Sequence, residues 1–256
     1  MRRGHFKGFE EAGGSVVVLA TYENIGMLCK HSLGTLNTTG AGPYTHTYTL
    51  ATTLPTGLTM EGKRGTSGAE VFEGCKVSTA TWECSSGSEM TLSLDVIAET
   101  AATRSASSSP TFVTGERVLH HHSSTLSFDG QTYDLVSFKC TLNNSIARRN
   151  FLGSRVTKEP ARSDYSSVQM DLSVEAADAL YTALHAGTTG DAVVTFASGT
   201  KSMAFTLHNA YLTGASDPIS GAGIVQQSLT LVGESDGTDE GLKLVVINDA
   251  ASGTAN

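Results

Sequence analysis

Residues 70–100 read EVFEGCKVSTATWECSSGSEMTLSLDVIAET. Within residues 89–99 the apolar positions are Met90, Leu92, Leu94, Val96 and Ala98. The intervening positions are Glu89, Thr91, Ser93, Asp95, Ile97 and Glu99. A strand sends successive side chains to opposite faces, so this alternation predicts one packed face and one wet face. The whole run reads as a strand, a tight polar turn and a second strand. Its wet face carries carboxylates and hydroxyls but no reactive constellation. A chain of this kind presents a surface.

Residues 116–146, ERVLHHHSSTLSFDGQTYDLVSFKCTLNNSI, repeat the plan. Asp129-Gly130 is the turn of this second hairpin, because Asp and Gly both tolerate positive φ. Further strands are expected at 15–20, 44–50, 57–62, 165–173, 191–197, 202–212, 223–233 and 242–248. The best helix spans 175–186, with an apolar stripe of Ala177, Leu180, Tyr181 and Leu184. Ser173 suits its start and Gly187 its close. A weaker helix spans 21–33, with Ile25, Leu28, Cys29 and Leu33 on one face and Gly34 as its cap; Gly26 counts against it. No βαβ alternation and no short internal repeat appears, which argues against a parallel nucleotide-binding sheet.

The expected fold is therefore mainly β: an antiparallel β-sandwich or barrel with one flanking α-helix, a second short helix and extended arms and loops. One domain covers 1–256. Residues 1–20 form an N-terminal arm, 35–69 a long excursion from the core, and 70–232 the β core with the helix at 175–186. Residues 233–256 supply a C-terminal strand and a frayed tail. Residues 101–114, with their Ser run ending at Pro110, form the most loop-like internal stretch.

The formal net charge is -8, with a pI near 5.4. A free nucleic-acid binder carries a basic footprint, and this chain lacks one, so stable nucleic-acid binding is not expected. An acidic wall can still meet DNA by repelling it. The opening MRRGHFKGFEEAGG has no apolar run of signal-peptide length. No window reaches the roughly 18 apolar residues of a membrane span. A soluble chain without a membrane span is expected.

Cys29, Cys75, Cys84 and Cys140 form no CxxC and match no zinc module. Buried free thiols are the favoured reading, with a Cys75–Cys84 disulfide across paired strands as the lesser one. His120 and His122 would share a strand face and could hold a metal, but no further ligand can be named, and a polar strand face is the plainer reading. Trp82, the single Trp, reads as a core or interface anchor. Nothing resembles a nucleophile elbow, a Walker loop, HExxH or a dinucleotide fingerprint. The pairs Glu10-Glu11 and Asp239-Glu240 stand in terminal or turn segments and read as solvated charge. No catalytic residue, metal or cofactor is expected, and the chain is not read as an enzyme.

The main basic cluster is Arg148, Arg149, Arg155, Lys158 and Arg162. One reading is an ordinary solvated loop. The other is half of a charge-complementary contact between subunits, the other half being the acidic turn with Glu234, Asp236, Asp239 and Glu240.

Several segments in order carry a family resemblance. They are LCKHSLG (28–34), LTMEGKRG (58–65), FEGCKVSTATWECSSGSEMTLSLDVIAE (72–99), FDGQTYDLVSFKCTLNNSIA (128–147) and EGLKLVVIND (240–249). Most of the weight rests on FEGCKVS and KCTLNNSI. Together they resemble the tail tube (major tail) proteins of long, non-contractile-tailed bacteriophages, over about residues 22–248. The resemblance implies a β-sandwich or barrel core beside a helix, closed into hexameric rings whose strands line a channel. The rings would stack, with terminal arms and long loops reaching adjacent rings, and the tube would conduct double-stranded DNA from capsid to host. Implied partners are further copies of the chain, a tape-measure protein, and tail terminator and tip proteins. The implied location is the virion tail, after synthesis in the bacterial cytoplasm. Chains of this type often have more sequence before the first helix, so a longer N-terminus is an open expectation. Glu89, Asp95 and Glu99 are the expected lumen-facing residues. The alternatives are a β-rich receptor- or carbohydrate-binding module and a ring-forming tail-tip protein.

Overall fold

The computed structural model describes residues 8–63, 65, 68–104, 109, 117–216, 225–235, 237 and 240–254. In chain order the first half contains β1 (Ala12–Leu19), α1 (Gly26–Leu33), β2 (Gly34–Thr39), β3 (Tyr44–Leu50), β4 (Leu58–Lys63), β5 (Ala69–Ser85), β6 (Thr91–Ala98) and β7 (Thr100–Arg104). The second half contains β8 (Ser124–Phe128), β9 (Gln131–Tyr133), β10 (Leu135–Asn143), β11 (Ile146–Arg149), β12 (Lys158–Arg162), β13 (Ser167–Glu175), α2 (Asp178–Ala186), β14 (Thr189–Ser198), β15 (Lys201–Ser216), β16 (Gln226–Val232) and β17 (Leu242–Asn248). Among the described residues the fold is mainly β and antiparallel, with a sandwich core and two α-helices, as expected.

One hydrogen-bonded path runs β1-β6-β5-β10-β13-β16-β15-β14-β8-β9, with β17, β3 and β2 branching from β15. It makes two layers because β15 changes layer along its length. Residues 202–207 pair with β17, while residues 211–216 pair with β16. Asn209, at φ 44, lies between the two stretches. The layers meet through aromatic rings. Trp82 of β5 stands edge-on to Phe205 of β15 at 5.7 Å, and Phe138 of β10 meets Phe196 of β14 at 5.4 Å. Leu92, Leu94, Cys140, Met170, Leu172 and Leu231 complete the packed face between them. The set Met90, Leu92, Leu94, Val96 and Ala98 is buried throughout.

Several expectations need correction. Residues 116–146 do not form one hairpin. The Asp129-Gly130 turn is present, with φ of 50 and 70, but it joins β8 to the short β9. The chain then crosses to the other layer, where β10 pairs with β5 and β13. Residues 101–104, read as loop, extend β7 along β5; residues 105–108 and 110–114 lie outside the described residues. Residues 35–69 divide. β2 and β3 belong to the second layer through β17, whereas β4 pairs with the N-terminal end of β5 outside it.

Both helices start late, for local reasons. Thr21 and Asn24 exchange side-chain and backbone hydrogen bonds at 3.0 and 3.1 Å, a turn that competes with helix. Gly26, which argued against a helix, opens α1 because a Cβ there would lie 2.0 Å from the Gly253 carbonyl oxygen. Before α2, Glu175 still pairs with Gln226 and the Ala176 amide donates to Val225. Ser173 is therefore a strand residue, and Ala177 is the N-cap without a side-chain bond. Leu180 and Ala183 face inward while Tyr181 is exposed, so the stripe is rotated from its expected place. Gly187 closes the helix in the left-handed conformation, as expected.

The C-terminal segment is not frayed up to residue 254. Tyr48 donates to the Gly253 carbonyl at 2.6 Å. Buried His46 contacts Asn248 Oδ1 and the Ala250 carbonyl at 3.0 Å each, and Asn248 donates to the Tyr22 carbonyl at 2.7 Å. This clamp ties Tyr22 and residues 248–253 to the second layer. All four cysteines are free and buried. Cys75 and Cys84 lie on the same strand, β5, so the disulfide reading fails: an extended strand separates residues nine apart by roughly 30 Å.

Candidate assembly surfaces and channel wall

From β6 to β16 the outer face of the first layer is a ladder of polar side chains set by strand register. One row runs Ser93, Thr81, Thr141 and Gln169 across β6, β5, β10 and β13. The next runs Thr91, Glu83, Lys139, Asp171 and Thr230, reaching β16. Asp171 accepts from Gln169 at 2.8 Å and from Thr230 at 3.0 Å. Lys139 stands between Glu83 and Asp171, so this row is acid, base, acid. Cross-strand pairs of this kind hold charged side chains over the sheet.

The three residues expected in the lumen are not equivalent. Asp95 is exposed on this outer face and accepts a hydrogen bond from Ser15 of β1. Glu89 lies before β6 begins, in an isolated bridge with His120. Glu99 lies in the bend after β6, where its amide donates to the Glu73 carbonyl at 2.9 Å. The three mark the two ends and the middle of one strand. Glu83, Lys139 and Asp171 were missed because their neighbourhood depends on register between strands distant in sequence. Their own alternation was visible, as in Trp82 against Glu83.

β1 lines up with β6 from Ala12 opposite Ala98 to Leu19 opposite Thr91. No described strand pairs with its other edge. Val17 is 64% exposed and Leu19 48% exposed. Val17 and Leu19 stand opposite Ser93 and Thr91, so they are an apolar margin of the outer face beside an open backbone edge, which is a template for another chain.

The β11–β12 hairpin carries the basic cluster across residue 76 of β5. Glu159 accepts from Lys76 at 2.8 Å and from the Gly57 amide at 2.8 Å. The Lys76 hydrogen bond, helped by that amide, holds Glu159 below the usual carboxylate range although burial opposes it. Lys158 and Arg149 lie 4.7 and 5.7 Å from the Phe151 ring centre. Arg155 pairs with Glu10 at 2.9 Å and donates to the Gly8 carbonyl. Arg148 reaches toward Gly13 of β1.

Arg162 stands apart from this set at the hairpin's base. It donates to Ala51, Thr52 and Asn144 oxygens at 2.7, 3.2 and 2.9 Å. It borders a cleft of about 680 Å³ lined also by Leu50, Asp164, Tyr165, Val168 and Glu240. Glu234 and Glu240 are exposed beside it, and His208 holds both ends of their turn through its backbone. Asp236 and Asp239 lie outside the described residues.

The His run is not a strand. His121–Ser123 is a short 3-10 turn, with the His120 and His122 rings 5.2 Å apart. Among the described residues no group of His, Cys, Asp and Glu converges as metal ligands would. Trp82 is a core anchor. A sheet with one packed face, one wet face and an open edge is suited to self-association. The family model for phage tail tube proteins matches residues 1–233.

The chain belongs to the phage tail tube family.

No curated protein matches it. Membership makes it a structural component of the virion tail that assembles with itself. No described helix is long and apolar enough to cross a membrane.

Proposed function

We propose that copies of this tail tube protein close into hexameric rings, and that the rings stack into a tube conducting DNA from capsid to host. The open edge of β1 carries this reading. The first layer ends at β1 on one side and at residues 211–216 of β15 on the other. Pairing the β1 edge of one copy with that far margin of the next is a head-to-tail contact that a rotation closes. Closure removes the exposed edges.

The polar outer face of the first layer would then line the channel. Carboxylates there repel phosphate, so DNA stays centred and mobile. Conduction is passive and involves no enzymatic step. The basic cluster of Arg148, Arg149, Arg155 and Lys158 meets the acidic turn of Glu234, Asp236, Asp239 and Glu240 on a neighbouring copy. Stacking is open-ended, so a tape-measure protein sets the tube's length and terminator and tip proteins bound its ends.

Negative-stain microscopy of the purified protein tests the assembly. Stacked rings are expected. Single rings that never stack would favour a tail-tip protein, and a lasting monomer would overturn the reading. Val17→Lys with Leu19→Lys puts charge on the margin of the outer face beside the open β1 edge, so the fold should survive while closure against the next copy is lost.

A further inference from the structure

We propose that Leu152, at the tip of the β11–β12 hairpin, is a knob that seats in the cleft at the base of the same hairpin on a second copy. The proposal rests on the self-assembly reading and deepens it by naming one contact.

Leu152 is 102% exposed and Tyr165 is 92% exposed, more than any other large apolar side chain among the described residues. They lie at opposite ends of one element. Arg149 pairs with Lys158 near the tip, and Ile146 pairs with Arg162 at the base. The knob is Leu152 beside Phe151, ringed by Arg149 and Lys158 over the Phe151 face. The socket is the 680 Å³ cleft, with Leu50 and Val168 in its floor, Tyr165 on its wall and Asp164 and Glu240 on its rim.

Charge and shape then agree. The tip is apolar inside a cationic collar, and the cleft is apolar inside an acidic rim. Arg162 keeps its charge beside the cleft, but the two acidic rim residues Asp164 and Glu240 outnumber it. A short ordered hairpin cannot fold its tip back onto its own base, since strands of four and five residues hold them roughly 13 Å apart. The complementary surface must belong to another molecule. Because knob and socket differ, the contact is head to tail and propagates.

The four native cysteines are buried, so engineered surface cysteines report alone. The test is oxidation of assembled tubes carrying Leu152→Cys and, in the cleft's lining, Ser163→Cys in one chain. A ladder of disulfide-linked multimers is expected, with none from either single variant. Dimers from Leu152→Cys alone would mean a symmetric contact and overturn the proposal, as would tubes of the double variant that give no ladder. Leu152→Asp provides a second reading. It removes no contact within the chain, so the monomer should melt as wild type while tube yield falls at least tenfold. Normal tubes from Leu152→Asp would refute the knob and leave the ring-and-tube reading standing. Wild-type protein that never assembles would refute that reading, and the knob with it.

Discussion

Trp82 and Glu83 are neighbours on β5 with opposite roles. Trp82 is fully buried between the layers, edge-on to Phe205. Glu83 is exposed on the outer face, paired across to Lys139. One peptide unit separates the residue that holds the fold from the residue offered to whatever lies outside. Because the side-chain period is two, the same contrast repeats along β6, β10 and β13. Stability is concentrated on one face, and the other face is left free to vary in charge.

Trp82→Ala would test that contrast most severely. Removing the ring leaves a cavity facing Phe205, and substitutions of this kind cost about 3–5 kcal/mol. Glu83→Ala should change stability by no more than about 0.5 kcal/mol. Denaturant titration of both proteins measures the difference. Equal losses would mean that the two faces are not energetically distinct. The buried indole N–H has no partner among the described residues, so Trp82→Phe, which removes it, should cost less than the lost ring area alone predicts.

The C-terminal clamp extends the comparison to buried polar groups. Asn248→Ala leaves the Tyr22 carbonyl without its donor inside the second layer and takes one contact from His46, which keeps the Ala250 carbonyl. An unsatisfied buried group costs about 1–3 kcal/mol. Thermal melting should show this loss, together with faster hydrogen exchange in residues 44–50 and 242–248. A melt and an exchange pattern like wild type would mean the terminal segment is decoration.

Ion pairs should contribute less. The Glu159 carboxyl is held below its usual range by Lys76 first and by the Gly57 amide. A carboxylate depressed in the fold adds stability above its unfolded pKa, and that stability is lost as pH falls through the folded value. Because 41% of the Glu159 side chain is exposed, solvent screens the pair, and its worth is about 0–1 kcal/mol. Stability measured from pH 6 down to pH 2 should fall less steeply in Lys76→Met. Parallel curves would remove Lys76 as the cause.

The part of this division that was legible in the sequence is the part that local physics decides. Alternation at 89–99 placed Met90, Leu92, Leu94, Val96 and Ala98 inside, and Asp129-Gly130 named its turn. Long-range choices were not legible. Nothing in residues 131–135 says that β9 ends after three residues and that β10 joins the opposite layer. Gly26 looked like a flaw in a helix because the carbonyl that requires it belongs to Gly253, at the other end of the chain. The wet face of β6 could be read, but its neighbours Glu83, Lys139 and Asp171 needed register, which hydrogen bonding across strands sets. The hairpin tip was readable as charge, and only its exposure separated Leu152 from an ordinary loop leucine.

The smallest expected effect on the fold is the one that bears most on function. Glu89→Gln, Asp95→Asn and Glu99→Gln together should leave stability and tube assembly unchanged and slow DNA ejection. The three should not act equally. Asp95 projects from the middle of β6 on the outer face, whereas Glu89 and Glu99 sit where β6 begins and ends, so Asp95→Asn should account for most of the change. Glu83→Gln should do less, because Lys139 already offsets the charge of its row. Lys139→Gln should act in the opposite direction and make the wall more repulsive. Screening shortens the reach of every one of these charges, with a Debye length of about 10 Å at 0.1 M salt. The differences between variants should therefore shrink as salt rises. Ejection rates measured from virions with variant tails at two ionic strengths decide it. If Asp95→Asn ejects as fast as wild type at low salt, the outer face of the first layer does not line the channel.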